Sequence, residues 1–333
     1  MNEHLLSVKD LRTYFYTSSG VVKAVDGVSF SLDSGKTLGI VGESGSGKSI
    51  TAKSVIQLLP SKACKCSGGP ILFDGKDMLL LKQKEINEIR GKDLSLIFQN
   101  PMTSLDPVFT VGNQMIELIL THYDISKEKA KEKAIEAFKK VGIPDPEKRM
   151  ASYPYELSGG LCQRVIIAMA IMGSPKLIIA DEPTTALDVT VQAQVLDLLK
   201  DLQKSYNTAI LLITHDLGVI WDMCDTVMVM YAGKIVEFSD VKTLYSNALH
   251  PYTWGLLNSM PKVTDKAKSD FITIPGTPPD LRLTGNFCNF CNRCPYVMEE
   301  CFKSDPEFLE VEEGHFVACH NQNLKRHLSK ERK

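Results

Sequence analysis

The chain has 333 residues, with 38 Lys and Arg against 40 Asp and Glu and a formal charge of −2. Near-neutrality argues against a strongly basic nucleic-acid surface and against an acidic tail protein. A composition of 44% hydrophobic and 23% charged residues excludes wholesale disorder. At about 150 residues per domain the length fits two domains, or one large domain with an appendage. No stretch reaches the roughly 18 apolar residues of a membrane-spanning helix, and residues 165–172 and 209–213 read as buried core. The first residues lack a basic region followed by an apolar run, so no secretory signal is expected. A reducing cytoplasm follows. Nine cysteines are present, five of them between Cys288 and Cys319, and in that compartment such a cluster points to a metal more than to disulfides.

Strands are predicted over residues 6–16, 22–32 and 37–41, the last running straight into a Gly/Ser-rich loop. A helix fits 49–59, stopped by Pro60, and the small polar stretch 62–69, with Cys64 and Cys66, reads as a surface loop. From 126 to 141 the period becomes helical: Ser126 is an N-cap candidate, Ala130, Ala134, Ala137, Phe138 and Val141 share a face, and Gly142 and Pro144 supply stop signals. A helix near Ser158, a strand at 177–180, a helix at 191–204 and a strand at 209–214 follow, the order of a parallel α/β sheet. A helical insertion covers roughly 101–160. Beyond Tyr231, Pro251, Pro261, Pro275, Pro278 and Pro279 punctuate short segments; a boundary near 234–250 leads to a small appended domain with a frayed tail over 325–333.

Gly42, Glu43, Ser44, Gly45, Ser46, Gly47, Lys48 and Ser49 match G-x-x-x-x-G-K-[ST] between a strand and a helix. Glycines let backbone N–H groups converge on phosphates, and the helix N-terminus adds positive potential. Lys48 would reach the β- and γ-phosphates and the Ser49 hydroxyl would bind Mg²⁺. The strand at 177–180 ends in Asp181, suited to Mg²⁺ through water, and Glu182, suited to a base for attacking water. Alone, such a pair is a solvated strand end; beside a phosphate loop it is chemistry. His215, after 209–214, is a candidate γ-phosphate contact or a capping residue.

Leu157, Ser158, Gly159 and Gly160, followed by Gln163 and Arg164, complete the set. The sequence resembles the ATPase subunit of an ATP-binding-cassette transporter over essentially its whole length, with six motifs in family order: 42–49, Gln99, 157–160, Asp181/Glu182, Ala186-Leu187-Asp188 and His215. The resemblance implies a P-loop NTPase fold with an antiparallel β subdomain, a helical subdomain and a small C-terminal cysteine-bearing domain. It implies that two cassettes pack head to tail, each ATP lying between one chain's phosphate loop and the partner's Ser158, Gly159 and Gly160. ATP-binding roles also fall to Gly42, Ser44, Gly45, Ser46, Gly47, Ile50 and Asp188. Gln99 would sense Mg²⁺ and the attacking water and link the site to the helical insertion that touches membrane subunits. Phe15, with Tyr16 next, would stack on adenine.

A generic cassette would end near residue 245. The continuation resembles the oligopeptide/dipeptide importer group, in particular its dipeptide-permease D-type ATPase subunit, in residues 98–107, 250–253, 274–278, 293–295 and 317–320. This divides the chain into a nucleotide-binding domain over 1–240 and an extension over 241–333. It implies a peripheral subunit at the cytoplasmic face of a prokaryotic membrane. Its partners would be a second homologous ATPase (or itself), two transmembrane permeases and, indirectly, an external peptide-binding protein, with no nucleic acid. Peptide is the expected cargo, with nickel or another small solute as the alternative; a cassette ATPase acting on nucleic acid or ribosomes is the third reading. The cysteine spacings are x5, x6 and x17 across Cys288, Cys294, Cys301 and Cys319, with Cys291 making a local C-x2-C-x2-C. By spacing alone, Cys288, Cys291, Cys294 and one distant cysteine look ferredoxin-like. The resemblance selects Cys288, Cys294, Cys301 and Cys319 for a 4Fe-4S cluster, with Zn²⁺ as the alternative, Cys291 as a possible substitute and buried free thiols as the bland reading.

Overall fold

The computed structural model describes residues 4–59, 63–185, 187–259 and 274–321. The chain divides into two compact units, one made of Met1–Leu6, Leu32–Lys36 and Phe73–Ile213, the other of Ser7–Ser31, Thr37–Leu72 and Thr214–Lys333. The expected Ala186, Pro60, Pro261 and the 325–333 tail lie outside the described residues.

In the first unit three parallel strands, Leu94–Ile97, Leu177–Asp181 and Ala209–Ile213, pair with Leu177–Asp181 in the middle. Every residue of the last two is buried, which is why they read as unbroken apolar runs. The helices follow their sequence signals. In Lys127–Lys140 the Ser126 hydroxyl caps the Lys129 N–H, and Ala130, Ala134, Ala137 and Phe138 are buried at helical spacing. Val189–Tyr206 starts on the Asp188 carboxylate, which accepts from the Val191 N–H at 3.0 Å, and ends where Asn207 turns left-handed with φ 51°.

In the second unit, Leu6–Thr17 lies between Gly20–Leu32 and Ile71–Phe73. The expected loop at 62–69 is partly a strand: Cys64–Ser67 pairs antiparallel with Leu6–Thr17, from Arg12↔Ser67 to Phe15↔Cys64. The helix expected over 49–59 is Lys48–Val55, because Gln57 adopts φ 56° and closes it early. A second set of strands starts with Thr37–Val41 parallel to Thr226–Tyr231 and continues antiparallel through Lys234–Asp240, His315–Ala318 and Phe308–Glu312. The C-terminal hairpin therefore extends the sheet that Thr37–Val41 begins. Phe290 sets its edge against Tyr231, with centroids 5.2 Å apart, and meets Tyr252 at 5.5 Å, in one core that also holds Val41, Val229 and Leu244.

That core is pinned by a buried carboxylate. Glu237, fully buried, accepts the Leu249 N–H at 2.6 Å, the His250 N–H at 3.0 Å and a bond from His315 Nε2 at 2.8 Å. His250 is buried beside it, its Nδ1 accepting the Tyr252 N–H at 3.1 Å, and desolvation lowers its pKa to about 4 against a smaller opposing pull from Glu237. Its unfolded imidazole titrates near 6.5, so below that pH the unfolded chain takes up a proton that the native chain refuses. Thermal stability is expected to be flat above neutral pH and to fall by about 3 kcal/mol from this residue between pH 6.5 and 4. His250→Asn keeps a capping acceptor without the titration. Melting curves of the two chains across that window should diverge; parallel curves would refute the assignment.

Candidate nucleotide site

The phosphate loop begins where Thr37–Val41, buried throughout, runs out. Gly42 has φ 151°, and a Cβ there would meet the Met230 carbonyl oxygen at 2.2 Å and Ser46 Oγ at 2.8 Å. Gly47, at φ 107°, heads the helix Lys48–Val55 with its missing Cβ against the Ala24 carbonyl oxygen at 2.3 Å. Gly45, at φ 78°, has nothing within 4 Å of that position, so the crest of the loop is open. Lys48, buried, donates to the carbonyl oxygens of Gly42 at 2.8 Å and Glu43 at 2.9 Å. The Ser46 hydroxyl is buried without a hydrogen-bond partner. An open loop with glycine backbone, a helix N-terminus, a lysine and an orphaned hydroxyl is chemically fitted to phosphate oxygens. Thr214 N–H donates to the Ile40 carbonyl at 3.3 Å, placing exposed His215 beside the end of the strand that feeds the loop.

In the first unit, Asp181 closes the central strand, nearly buried. Glu182 leaves the strand at φ 50° with its N–H on the Ile213 carbonyl at 2.9 Å. Glu182 Oε2 accepts from Gln99 Nε2 at 2.8 Å and from Thr185 Oγ1 at 2.8 Å. Sequence reasoning named Gln99 and Glu182 separately and missed Thr185. Ser158 is the exposed N-cap of Gly159–Ile171, its Oγ accepting the Leu161 N–H at 3.3 Å. Gly159 and Gly160 open that helix, and a Cβ on Gly160 would meet Val191 Cγ1 at 2.7 Å. Asp188 is engaged as a helix cap on Val191.

The chain is similar to known proteins in sequence and in fold. The family described as "ABC transporter" matches residues 25–185, and "Oligopeptide/dipeptide transporter, C-terminal region" matches 236–301. The oligopeptide transport ATP-binding protein OppD of Bacillus subtilis is 51% identical over 313 residues, covering 94% of this chain and 87% of that relative. The dipeptide transport ATP-binding protein DppD of the same organism is 47% identical, covering 95% of this chain and 94% of its own length. The chain belongs to the ABC transporter family, in its oligopeptide/dipeptide branch. Its fold is that of the ABC ATPase: the cassette MJ0796, solved as a dimer bound to ADP and Pi, matches with a TM-score of 0.64 and 25% identity over 71% of this chain and 98% of that one.

Within this ABC ATPase, Phe15 is half-buried opposite Cys64, whereas Tyr16 is 49% exposed with Lys65 Nζ 5.3 Å from its ring centroid. Ile50 and Ser49 lie half-buried on the helix behind the loop, and Ser44 is exposed at its crest. Two partners of the loop escaped the sequence: Glu43 is held by the Tyr252 hydroxyl and the Arg293 guanidinium. Nothing in the string hints at bonds between residues 209 and 250 positions apart.

The cysteines correct an expectation. Among the described residues no group of three or more His, Cys, Asp or Glu side chains converges in a way that could hold a metal ion. Cys288, Cys291, Cys294, Cys301 and Cys319 are all free, and Cys288 and Cys294 pack against the apolar core of their unit. Burial pushes Cys288 to about 12 and Cys294 to about 11 and raises Cys291 and Cys319. Metal ligation needs thiolates, and burial opposes the thiolate form at Cys288, Cys291, Cys294 and Cys319. The relatives above are named for peptide transport and ATP binding. The expected 4Fe-4S cluster, and Zn²⁺ on the same set, are therefore withdrawn. The resemblance that selected the four cysteines matches residues along the chain and does not report whether their side chains converge.

Proposed function

We propose that this chain is the ATP-binding and ATP-hydrolysing subunit that powers an importer of di- or oligopeptides. The observation that carries the reading is similarity to peptide-transport ATP-binding proteins over 94% of the chain, with the phosphate loop and the Gln99–Glu182 pair intact within it. In this reading residues 1–240 form the nucleotide-binding domain, 101–160 its helical part and 241–333 the extension. Lys48 and the loop amides bind the β- and γ-phosphates, and Phe15 or Tyr16 stacks on adenine. Mg²⁺ supplies charge neutralisation at the phosphates when bound. The Ser49 hydroxyl and the Asp181 carboxylate are the hard oxygen donors that would hold it, and such ions take few protein ligands beside phosphate oxygens. Glu182 accepts the proton of the attacking water, Gln99 orients that water, and His215 steadies the terminal phosphate. Ser158, Gly159 and Gly160 serve the nucleotide of a second cassette, a homologous subunit or another copy.

No described helix is long and apolar enough to cross a membrane, and in this reading permease partners provide the channel. Phe98, Met102, Val108 and Phe109, between 37% and 72% exposed around the segment after Gln99, give the first unit an apolar surface for such partners at the cytoplasmic face. Reconstitution with its candidate permeases and binding protein in proteoliposomes is expected to give peptide uptake that requires ATP on this subunit's side. Hydrolysis indifferent to permeases and peptide, with stable association to ribosomes or nucleic acid, would refute the reading.

A further inference from the structure

The second residue of the phosphate loop is gripped from the C-terminal extension at both its backbone and its side chain. Arg293 Nη1 donates to Glu43 Oε2 at 2.6 Å and Nη2 to Oε1 at 3.0 Å, a fork on both carboxylate oxygens. The Arg293 side chain is 6% exposed and that of Glu43 26%. The guanidinium is itself fixed: Nε donates to the Pro275 carbonyl at 2.8 Å, Nη1 reaches the Tyr231 hydroxyl at 3.3 Å, and its carbon lies 5.8 Å from the Tyr231 ring centroid. The Glu43 N–H donates to the Tyr252 hydroxyl at 2.7 Å, while its carbonyl receives Lys48 Nζ at 2.9 Å. Pro278, Pro279 and Leu281 flank Ser44 and Gly45 along a small cleft.

Every polar group of Glu43 is thus committed, two of them to the extension. Glu43 leads directly into the amides of Ser44 to Gly47, and its carbonyl is one of the two that hold Lys48. A loop whose entry is clamped pays less ordering entropy when phosphate arrives. We infer that Arg293 and Tyr252 are positioning residues for the phosphate loop, through which the C-terminal extension sets the affinity of this subunit for nucleotide. Coupling between two sites is reciprocal, so bound nucleotide tightens the extension's hold on Glu43 by the same factor. The inference rests on the reading of residues 42–49 as the nucleotide site.

The test uses the full chain, a fluorescent ATP analogue with Mg²⁺, and the variants Arg293→Met, Arg293→Lys, Glu43→Gln and Tyr252→Phe. Arg293→Met is expected to weaken nucleotide binding by about tenfold, the scale of a lost charge-assisted pair. In the assembled transporter it should raise KM for ATP while kcat at saturating ATP moves less than about threefold. Arg293→Lys keeps the charge but not the fork and should restore part of the affinity. Glu43→Gln combined with Arg293→Met should cost far less than the product of the two single losses. Hydrogen exchange over 288–294 should slow on adding nucleotide to the wild type and not to Arg293→Met. Wild-type binding with a folded Arg293→Met chain that binds within twofold and shows the same exchange response would overturn the inference. If Arg293→Met does not fold, unchanged affinity in Glu43→Gln and Tyr252→Phe would overturn it equally. Failure of the wild type itself to bind nucleotide would instead overturn the reading of the loop, and the inference with it.

Discussion

Glu182→Gln is expected to lower ATP turnover by about 10²–10⁴-fold, the usual contribution of a positioned general base, while nucleotide affinity stays within a few fold. The substitution is nearly isosteric. Gln99 Nε2 and Thr185 Oγ1 both donate to Glu182 Oε2, and an amide oxygen still accepts those bonds. What disappears is the carboxylate that takes the proton from water. The backbone at φ 50° is equally accessible to either side chain, so the strand end keeps its form. The variant should therefore hold ATP without consuming it and accumulate as a nucleotide-bound pair of cassettes on size exclusion. Turnover equal to wild type would end the assignment of Glu182 as the base. Loss of ATP binding together with turnover would show that the side chain acts on the fold instead.

Glu237→Ala is expected to be the most damaging single change outside the site. Three donors converge on this buried carboxylate: two consecutive backbone N–H groups at Leu249 and His250, and the His315 ring. Truncation leaves all three in a dry core, at a cost of about 3–5 kcal/mol. For a chain of this size that corresponds to a melting temperature lower by roughly 4–7 °C. Glu237→Gln should fall between the two, because its amide presents one acceptor oxygen where two were used. A melting temperature for Glu237→Ala within 2 °C of wild type would show that water replaces the carboxylate. The same measurement on His315→Ala separates the imidazole's share from that of the backbone groups.

Much of the fold was legible because its signals are local. Ser126 followed by apolar residues at helical spacing dictates Lys127–Lys140, and unbroken apolar runs dictate Leu177–Asp181 and Ala209–Ile213. The phosphate loop announces itself because Gly42 and Gly47 stand where any side chain would strike backbone carbonyls. Cys64–Ser67 was hidden: its four small and polar residues form a strand only because Leu6–Thr17, some fifty positions earlier, offers unpaired backbone. The hairpin of Phe308–Glu312 and His315–Ala318 was hidden for a related reason, its partner strand lying near residue 237. The Gln99–Glu182 bond and the Arg293–Glu43 fork depend on tertiary folding that no window of sequence contains. The cysteines show the opposite error, a local pattern that tertiary packing does not turn into a ligand set.

The pairing of Glu237 with Val317 has a consequence for the edge of this sheet. A chain ending after Asp240 would leave Lys234–Asp240 with a bare row of amide and carbonyl groups, a template for another molecule's strand. The hairpin occupies that row and passes the exposed margin to Phe308–Glu312, where Glu310 and Glu312 supply repelling charge. The hairpin acts as a guard rail at the open end of that sheet, covering backbone that would otherwise be free to pair with another copy.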